Sequence, residues 1–167
     1  MTSARASSPT ALATGHQRRA ADPGLSVWVS ASAGSGKTKV LRDRVLRLLL
    51  DDAKPERILC LTFTKAGAAE MSNRVAITLA EWASISDVAL QKQLKDLLGD
   101  VALTDYKAKA RGLFAKVLDA PGGMRIETIH AFCQSLLRRF PLEAGIAPHF
   151  RLIEEQDATA MLAEARE

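Results

Sequence analysis

Ala31-Ser32-Ala33-Gly34-Ser35-Gly36-Lys37-Thr38 has the spacing of a phosphate-binding loop, with alanine in place of the glycine that usually opens the pattern. Such a loop wraps main-chain N–H groups around the phosphates of a nucleoside triphosphate. Lys37 is placed to reach the β and γ oxygens, and the Thr38 hydroxyl to hold Mg²⁺. Gly34 and Gly36 let the backbone approach the anion and tolerate positive φ, while Ala31 indicates that the first position asks only for a small side chain. The motif needs a strand before it and a helix after it, so its flanks decide the fold. Residues 25–30 read Leu-Ser-Val-Trp-Val-Ser, the β-rich and largely apolar character of a buried strand. Residues 37–50 carry Val40, Leu41, Val45, Leu48 and Leu49 at helical spacing, and this helix aims its positive end at the phosphates. A Gly/Ser-rich turn that merely joins strand to helix is the plainer alternative.

Working outward, Asp51-Asp52-Ala53-Lys54-Pro55 is a polar connection, and Arg57-Ile58-Leu59-Cys60-Leu61-Thr62-Phe63 is a second expected strand. Strand, crossover helix and strand imply an α/β fold with a parallel sheet and a right-handed connection. A further helix, opened by Thr64 or a neighbour, runs through Ala68, Glu70, Met71, Val75, Leu79 and Trp82. Residues 84–119 differ in character. Leu90, Leu94, Leu97 and Leu98, then Leu113, Phe114, Val117 and Leu118, predict two amphipathic helices parted by Gly99-Asp100, a helical insertion between strands. After the Pro121-Gly122-Gly123 turn come a short strand at residues 124–128 and a helix at 129–140, ahead of Pro141.

The chain has 167 residues, of which 47% are apolar, enough for a globular core and too many for a disordered protein. No apolar run approaches the roughly eighteen residues of a membrane span, and the Ser/Ala/Arg-rich start lacks the core of a secretory signal, so a soluble cytoplasmic protein without membrane partners is expected. Cys60 and Cys133 sit in apolar settings without metal-ligand spacing and read as reduced core residues. A net charge of +4 is compatible with a nucleic-acid partner without requiring one. Residues 1–15 read as a disordered polar tail. The last residues, Met161 to Glu167, stop inside a helical pattern, which predicts a fragment of something longer.

Two more segments follow expected strands. Leu61-Thr62-Phe63-Thr64-Lys65-Ala66-Gly67-Ala68-Ala69-Glu70-Met71 is, taken alone, a strand-to-helix junction with Thr64 as N-cap. Thr128-Ile129-His130-Ala131-Phe132-Cys133 stands at the corresponding end of the next strand, where a lone histidine is ordinarily a capping or packing residue. Together with the phosphate loop they resemble the ordered motifs of UvrD/Rep-type superfamily 1 DNA helicases: a phosphate loop, a Thr-Phe-Thr motif and a Thr-x-His motif. Three stretches are similar to the AddA type of bacterial AddAB helicase-nucleases. They are the Ser30-to-Thr38 loop, the Thr-Phe-Thr-Lys-Ala form, and Phe132-Cys133-Gln134-Ser135-Leu136-Leu137-Arg138-Arg139-Phe140-Pro141-Leu142-Glu143-Ala144-Gly145-Ile146.

The resemblance implies a RecA-like sheet, incomplete here, at residues 16–153, and the truncated start of a further helical subdomain at 154–167. It implies ATP and Mg²⁺ at Ala31, Ser32, Ala33, Gly34, Ser35, Gly36, Lys37 and Thr38, with Lys37 and Thr38 as catalytic residues, Thr38 on the metal, and Gln17 reading adenine. Thr62, Phe63, Thr64, Lys65, Thr128 and His130 match single-strand-gripping positions, where an aromatic ring is a sequence-tolerant stacking platform. Lys65 replaces the asparagine of many relatives, and Gly67 replaces their alanine. The partners implied are single-stranded and duplex-end DNA and an AddB-like nuclease subunit.

Hydrolysis in such enzymes also needs a carboxylate pair and later arginines. Glu154-Glu155 follows no adequate apolar strand, so the pair and the arginines are expected outside this sequence. A truncated, non-catalytic nucleotide- or DNA-binding module is therefore the second reading, and a small phosphate-loop kinase or an unrelated NTPase the third.

Overall fold

Thr64 sets the start of the longest helix. Its backbone is extended (φ −117°, ψ 145°), and its hydroxyl accepts from the Gly67 N–H at 3.0 Å, which satisfies a first-turn donor that would otherwise lack a partner. The computed structural model describes residues 9–30, 32, 34, 36–99, 104–151, 153, 161 and 165. Among them are six α-helices and a two-stranded parallel sheet: α1 (Pro9–Ala20), α2 (Lys37–Leu50), β1 (Leu59–Thr62), α3 (Lys65–Ser84), α4 (Asp87–Leu98), α5 (Thr104–Leu118), β2 (Arg125–Thr128) and α6 (Ile129–Arg139). A short 3₁₀ turn, Pro55–Arg57, takes the first residue of the expected second strand. The strands pair with Leu59 opposite Arg125 and Thr62 opposite Thr128.

The apolar stripe read along α3 is the stripe that is buried: Ala68, Met71, Val75, Leu79 and Trp82. Its last four residues meet Leu46, Leu49 and Leu50 of α2, Leu90, Leu94 and Leu97 of α4, and Ala110 and Leu113 of α5 in one cluster. The segment expected as an insertion therefore shares the core of the helices around it. Trp82 carries its one polar atom into this core, and Nε1 donates to Gln93 Oε1 at 2.7 Å. Arg111 of α5 ties the same corner, donating to the Trp82 carbonyl at 2.9 Å and to Asp87 at 2.6 Å.

Helix α2 closes in a Schellman wrap, with Ala53 N–H on the Leu48 carbonyl and Asp52 N–H on that of Leu49. This puts Asp52 in the left-handed region (φ 63°), and Lys109 and Lys116 of α5 both pair with its carboxylate. The hydrogen bond from Lys109 holds the Asp52 carboxyl below its ordinary pKa, and the same bond raises that of Lys109. A depressed carboxyl stabilises the fold above its unfolded pKa and loses that contribution as pH falls through the folded value. Asparagine tolerates the left-handed conformation but carries no charge. Asp52→Asn should therefore give a shallower loss of urea midpoint than the parent as pH is lowered from 7 through the carboxylate range. An unaltered slope would show that the lysine pair contributes nothing.

Several expectations need correction. Residues 26–30 take no regular secondary structure and join no ladder among the described residues, and β1 pairs with β2 instead. A doubly buried parallel strand needs hydrogen-bonded neighbours and cover on its faces. Here Trp28 is 94% exposed, and Val27 and Val29 are each 42% exposed. The expected tail ends inside a helix, since α1 begins at Pro9. Cys133 is exposed, so it is no core residue; Cys60 is half-buried, and burial raises its thiol pKa. Both cysteines are free. By its contacts the chain divides into two compact units, residues 1–128 and 129–167. Within the second unit α6 ends at Arg139, and Ser135 Oγ donates to the Phe132 carbonyl at 2.7 Å. Glu154 and Glu155 lie outside the described residues.

Candidate phosphate-loop and strand-end site

Gly36 is the N-cap of α2 with φ 90°, and having no side chain it offers no capping acceptor to the first-turn N–H groups. Those groups, aligned with the helix dipole, form the positive end of α2. Gly34 also takes a left-handed φ of 79°. Lys37, exposed at the first helical position, donates from Nζ to the Ser32 carbonyl at 2.9 Å, which folds its ammonium back over the loop. Thr38, one residue on, is half-buried and lines the cavity described below. Ala31, Ala33 and Ser35 lie outside the described residues.

Gln17, on the last turn of α1, comes to this helix end. A Cβ placed on Gly36 would stand 3.1 Å from Gln17 Nε2, so Gly36 is what lets the amide sit against the loop. Helix α1 is held there by arginines of α2. Arg47 donates to the Arg18 carbonyl at 2.8 Å, and Arg44 donates to the carbonyls of Ala20 (3.4 Å), Asp22 (2.5 Å) and Leu25 (2.7 Å).

The second cluster forms where β1 and β2 end. Thr62 and Thr128 are register partners on adjacent strands. Phe63 follows immediately and is 82% exposed, and Lys65 is exposed on the first turn of α3. Gly67 packs tightly here, since a Cβ would stand 3.0 Å from both the Thr62 and the Thr64 hydroxyl oxygens. The glycine that costs α3 propensity thus gives both threonines room. Thr38 and Thr62 line one cavity of about 430 Å³, whose lining includes Leu41, Val45, Ile58 and Met71. In the second unit His130 stands exposed on the first turn of α6.

The left-handed glycines ahead of α2, the paired strand-end threonines and the exposed Phe63 complete the geometry of the candidate site. Residues 13–167 match the family described as the UvrD/REP helicase N-terminal domain. The chain belongs to that family. Among similar proteins, an AddA-type component of the ATP-dependent helicase/nuclease of Pelotomaculum thermopropionicum is 34% identical over 147 residues, covering 86% of this chain and 10% of that protein. Its namesake in Desulforudis audaxviator is 37% identical over 142 residues, covering 83% of this chain and 10% of its own length. The chain thus spans about a tenth of the length of the curated relatives it matches.

For this UvrD/REP-type chain the structure brings Gln17, Gly34, Gly36 and Lys37 to one helix end, and Thr62, Phe63, Thr64, Lys65 and Thr128 to one end of the sheet. His130 falls in the other compact unit. Arg44 and Arg47 were missed by motif reading. A signal was present: Arg44 follows Val40 and Leu41 by four and three residues, so it interrupts an apolar face of α2. An arginine there needs acceptors, and the carbonyls that lead from α1 toward the loop supply them. Among the described residues no helix is long and apolar enough to cross a membrane.

Proposed function

We propose that residues 16–153 are the front part of a RecA-like, P-loop ATP-binding domain in a DNA helicase that moves on single-stranded DNA. The relatives' names support an AddA-like, ATP-dependent helicase/nuclease component; on that reading duplex ends would be its substrate, an AddB-like subunit its partner, and double-strand-break repair its role. The observation that carries the reading is the cavity lined by both Thr38 and Thr62 within one compact unit; it would join the proposed nucleotide site to the proposed single-strand site.

The residues fit the nucleotide. Two left-handed glycines, a helix N-terminus whose N-cap is a glycine, and an ammonium folded over the loop suit a polyphosphate anion. Lys37 would hold the β and γ oxygens, Thr38 the Mg²⁺, and the amide of Gln17 both hydrogen-bonding edges of adenine. Bound magnesium–ATP would supply the phosphoanhydride energy for movement. On the DNA side Thr62 and Thr128 would bond phosphates, Phe63 would stack a base, Thr64 would fix the loop as cap, and Lys65 would add positive charge. His130, which belongs to the other compact unit, would be a DNA contact of its own.

Phe63→Ala should weaken single-stranded DNA binding by about 1–3 kcal/mol, with little sequence preference in the loss. Fluorescence anisotropy with a labelled oligonucleotide measures this on the complete gene product. Unchanged affinity would remove Phe63 from the DNA path. Its exposure means that the fold should not suffer from the change.

A further inference from the structure

We infer that Arg44 is a positioning residue that sets adenine selectivity by fixing the distance between Gln17 and the phosphate loop. The inference rests on the proposed nucleotide site and goes beyond it, since Arg44 stands about 10 Å along α2 from the loop and is no part of the motif.

Three observations carry it. The hydrogen bonds of Arg44 run to three main-chain carbonyls, those of Ala20, Asp22 and Leu25. These span the last residue of α1, the turn after it, and the bend from which the chain leads on to the loop. The turn has its own lock, with Asp22 Oδ1 accepting from Gly24 N–H at 2.9 Å, so Arg44 grips a preformed corner. Second, the neighbouring carboxylate does not compete for the guanidinium. Asp43 is buried and takes Lys39 at 2.6 Å and Arg42 at 2.8 Å. Third, Arg47, one turn on, grips the Arg18 carbonyl. Two arginines of α2 thus cap the carbonyl end of α1, where cations are also favoured by the helix dipole.

Gln17 stands between these anchors and Gly36. With α1 held at its carbonyl end, the amide is pinned against the loop; with that end loose, it is not. An amide that reads both edges of a base works only at a fixed height above it, because hydrogen bonds weaken steeply with misalignment. Loss of Arg44 should therefore cost the adenine contact and leave the phosphate contact in place.

The test measures ATP and GTP affinity of the complete gene product, in the presence of magnesium, for the parent, Gln17→Ala, Arg44→Ala and the double variant. The parent should prefer ATP, and Gln17→Ala should abolish the preference. Arg44→Ala should weaken ATP by ~10-fold with GTP little changed, and the double variant should be no worse than either single. Arg44→Lys keeps the charge but cannot reach three carbonyls from one ammonium, so it too should lower the ATP-to-GTP ratio; this variant decides the matter if Arg44→Ala fails to fold. A parental ratio in the folded Arg44 variants, or an equal loss for both nucleotides, overturns the role of Arg44 while Gln17 keeps its own. A ratio insensitive to Gln17→Ala overturns the adenine reading itself, and the inference with it.

Discussion

Lys37→Ala is expected to take ATP binding below detection while leaving the fold intact. Lys37 is exposed and donates to the Ser32 carbonyl at 2.9 Å, so the helix it opens does not depend on it for burial. In the proposed complex the same ammonium meets two phosphate oxygens. A hydrogen bond to a charged group contributes about 1.5–3 kcal/mol, so losing two costs roughly 3–6 kcal/mol, a hundredfold or more in affinity. The glycines at 34 and 36 and the end of α2 remain, but they present partial charges only. Titration of a fluorescent ATP analogue with magnesium, alongside a thermal melt, separates binding from folding. Unchanged affinity in a folded variant would overturn the phosphate-loop assignment, and with it the helicase reading.

Trp82→Ala should be the most damaging substitution for stability. The side chain is 1% exposed in the cluster that joins α2, α3, α4 and α5. Truncating a buried tryptophan costs about 3–5 kcal/mol in transfer and cavity terms, a large fraction of the roughly 5–15 kcal/mol that holds a typical domain. It also leaves Gln93 Oε1 without the indole N–H that now meets it at 2.7 Å. Urea unfolding at neutral pH measures the loss. Trp82→Phe, which keeps most of the volume, should recover more than half of it. A loss under about 1 kcal/mol for Trp82→Ala would mean that α4 and α5 fold without support from α2 and α3.

The contrast between Trp82 and Trp28 shows what periodicity reveals. Trp82 lies on a stripe repeating every three to four residues along twenty helical residues, and such a stripe names its buried face wherever the partner comes from. Trp28 lies in a six-residue run whose composition says strand, but a strand is defined by its neighbours. Among the described residues that run meets none, and Trp28 faces solvent. The same difference separates the two clusters of the candidate site. Gly34, Gly36, Lys37 and the Thr64 cap were legible because each answers a local backbone requirement: a positive φ, a helix start, an orphan N–H. The pairing of Thr62 with Thr128 links residues sixty-six positions apart through sheet register.

By itself, then, the sequence determined the left-handed glycines at 34 and 36, the approximate bounds of α2 to α6, the buried faces of α3 and α4, and the family. These follow from interactions that span a few residues, or from side-chain chemistry repeated at a fixed period. Only the tertiary structure decided that the 84–119 helices belong to the central core and that residues 26–30 stand outside the two-stranded sheet. It alone put Gln17 at the head of α2 and set Arg44 to grip the chain just beyond it. Each of these depends on which distant backbone carbonyl or apolar face arrives at a given place. That is fixed by the packing of whole helices against one another, which no short window of residues contains.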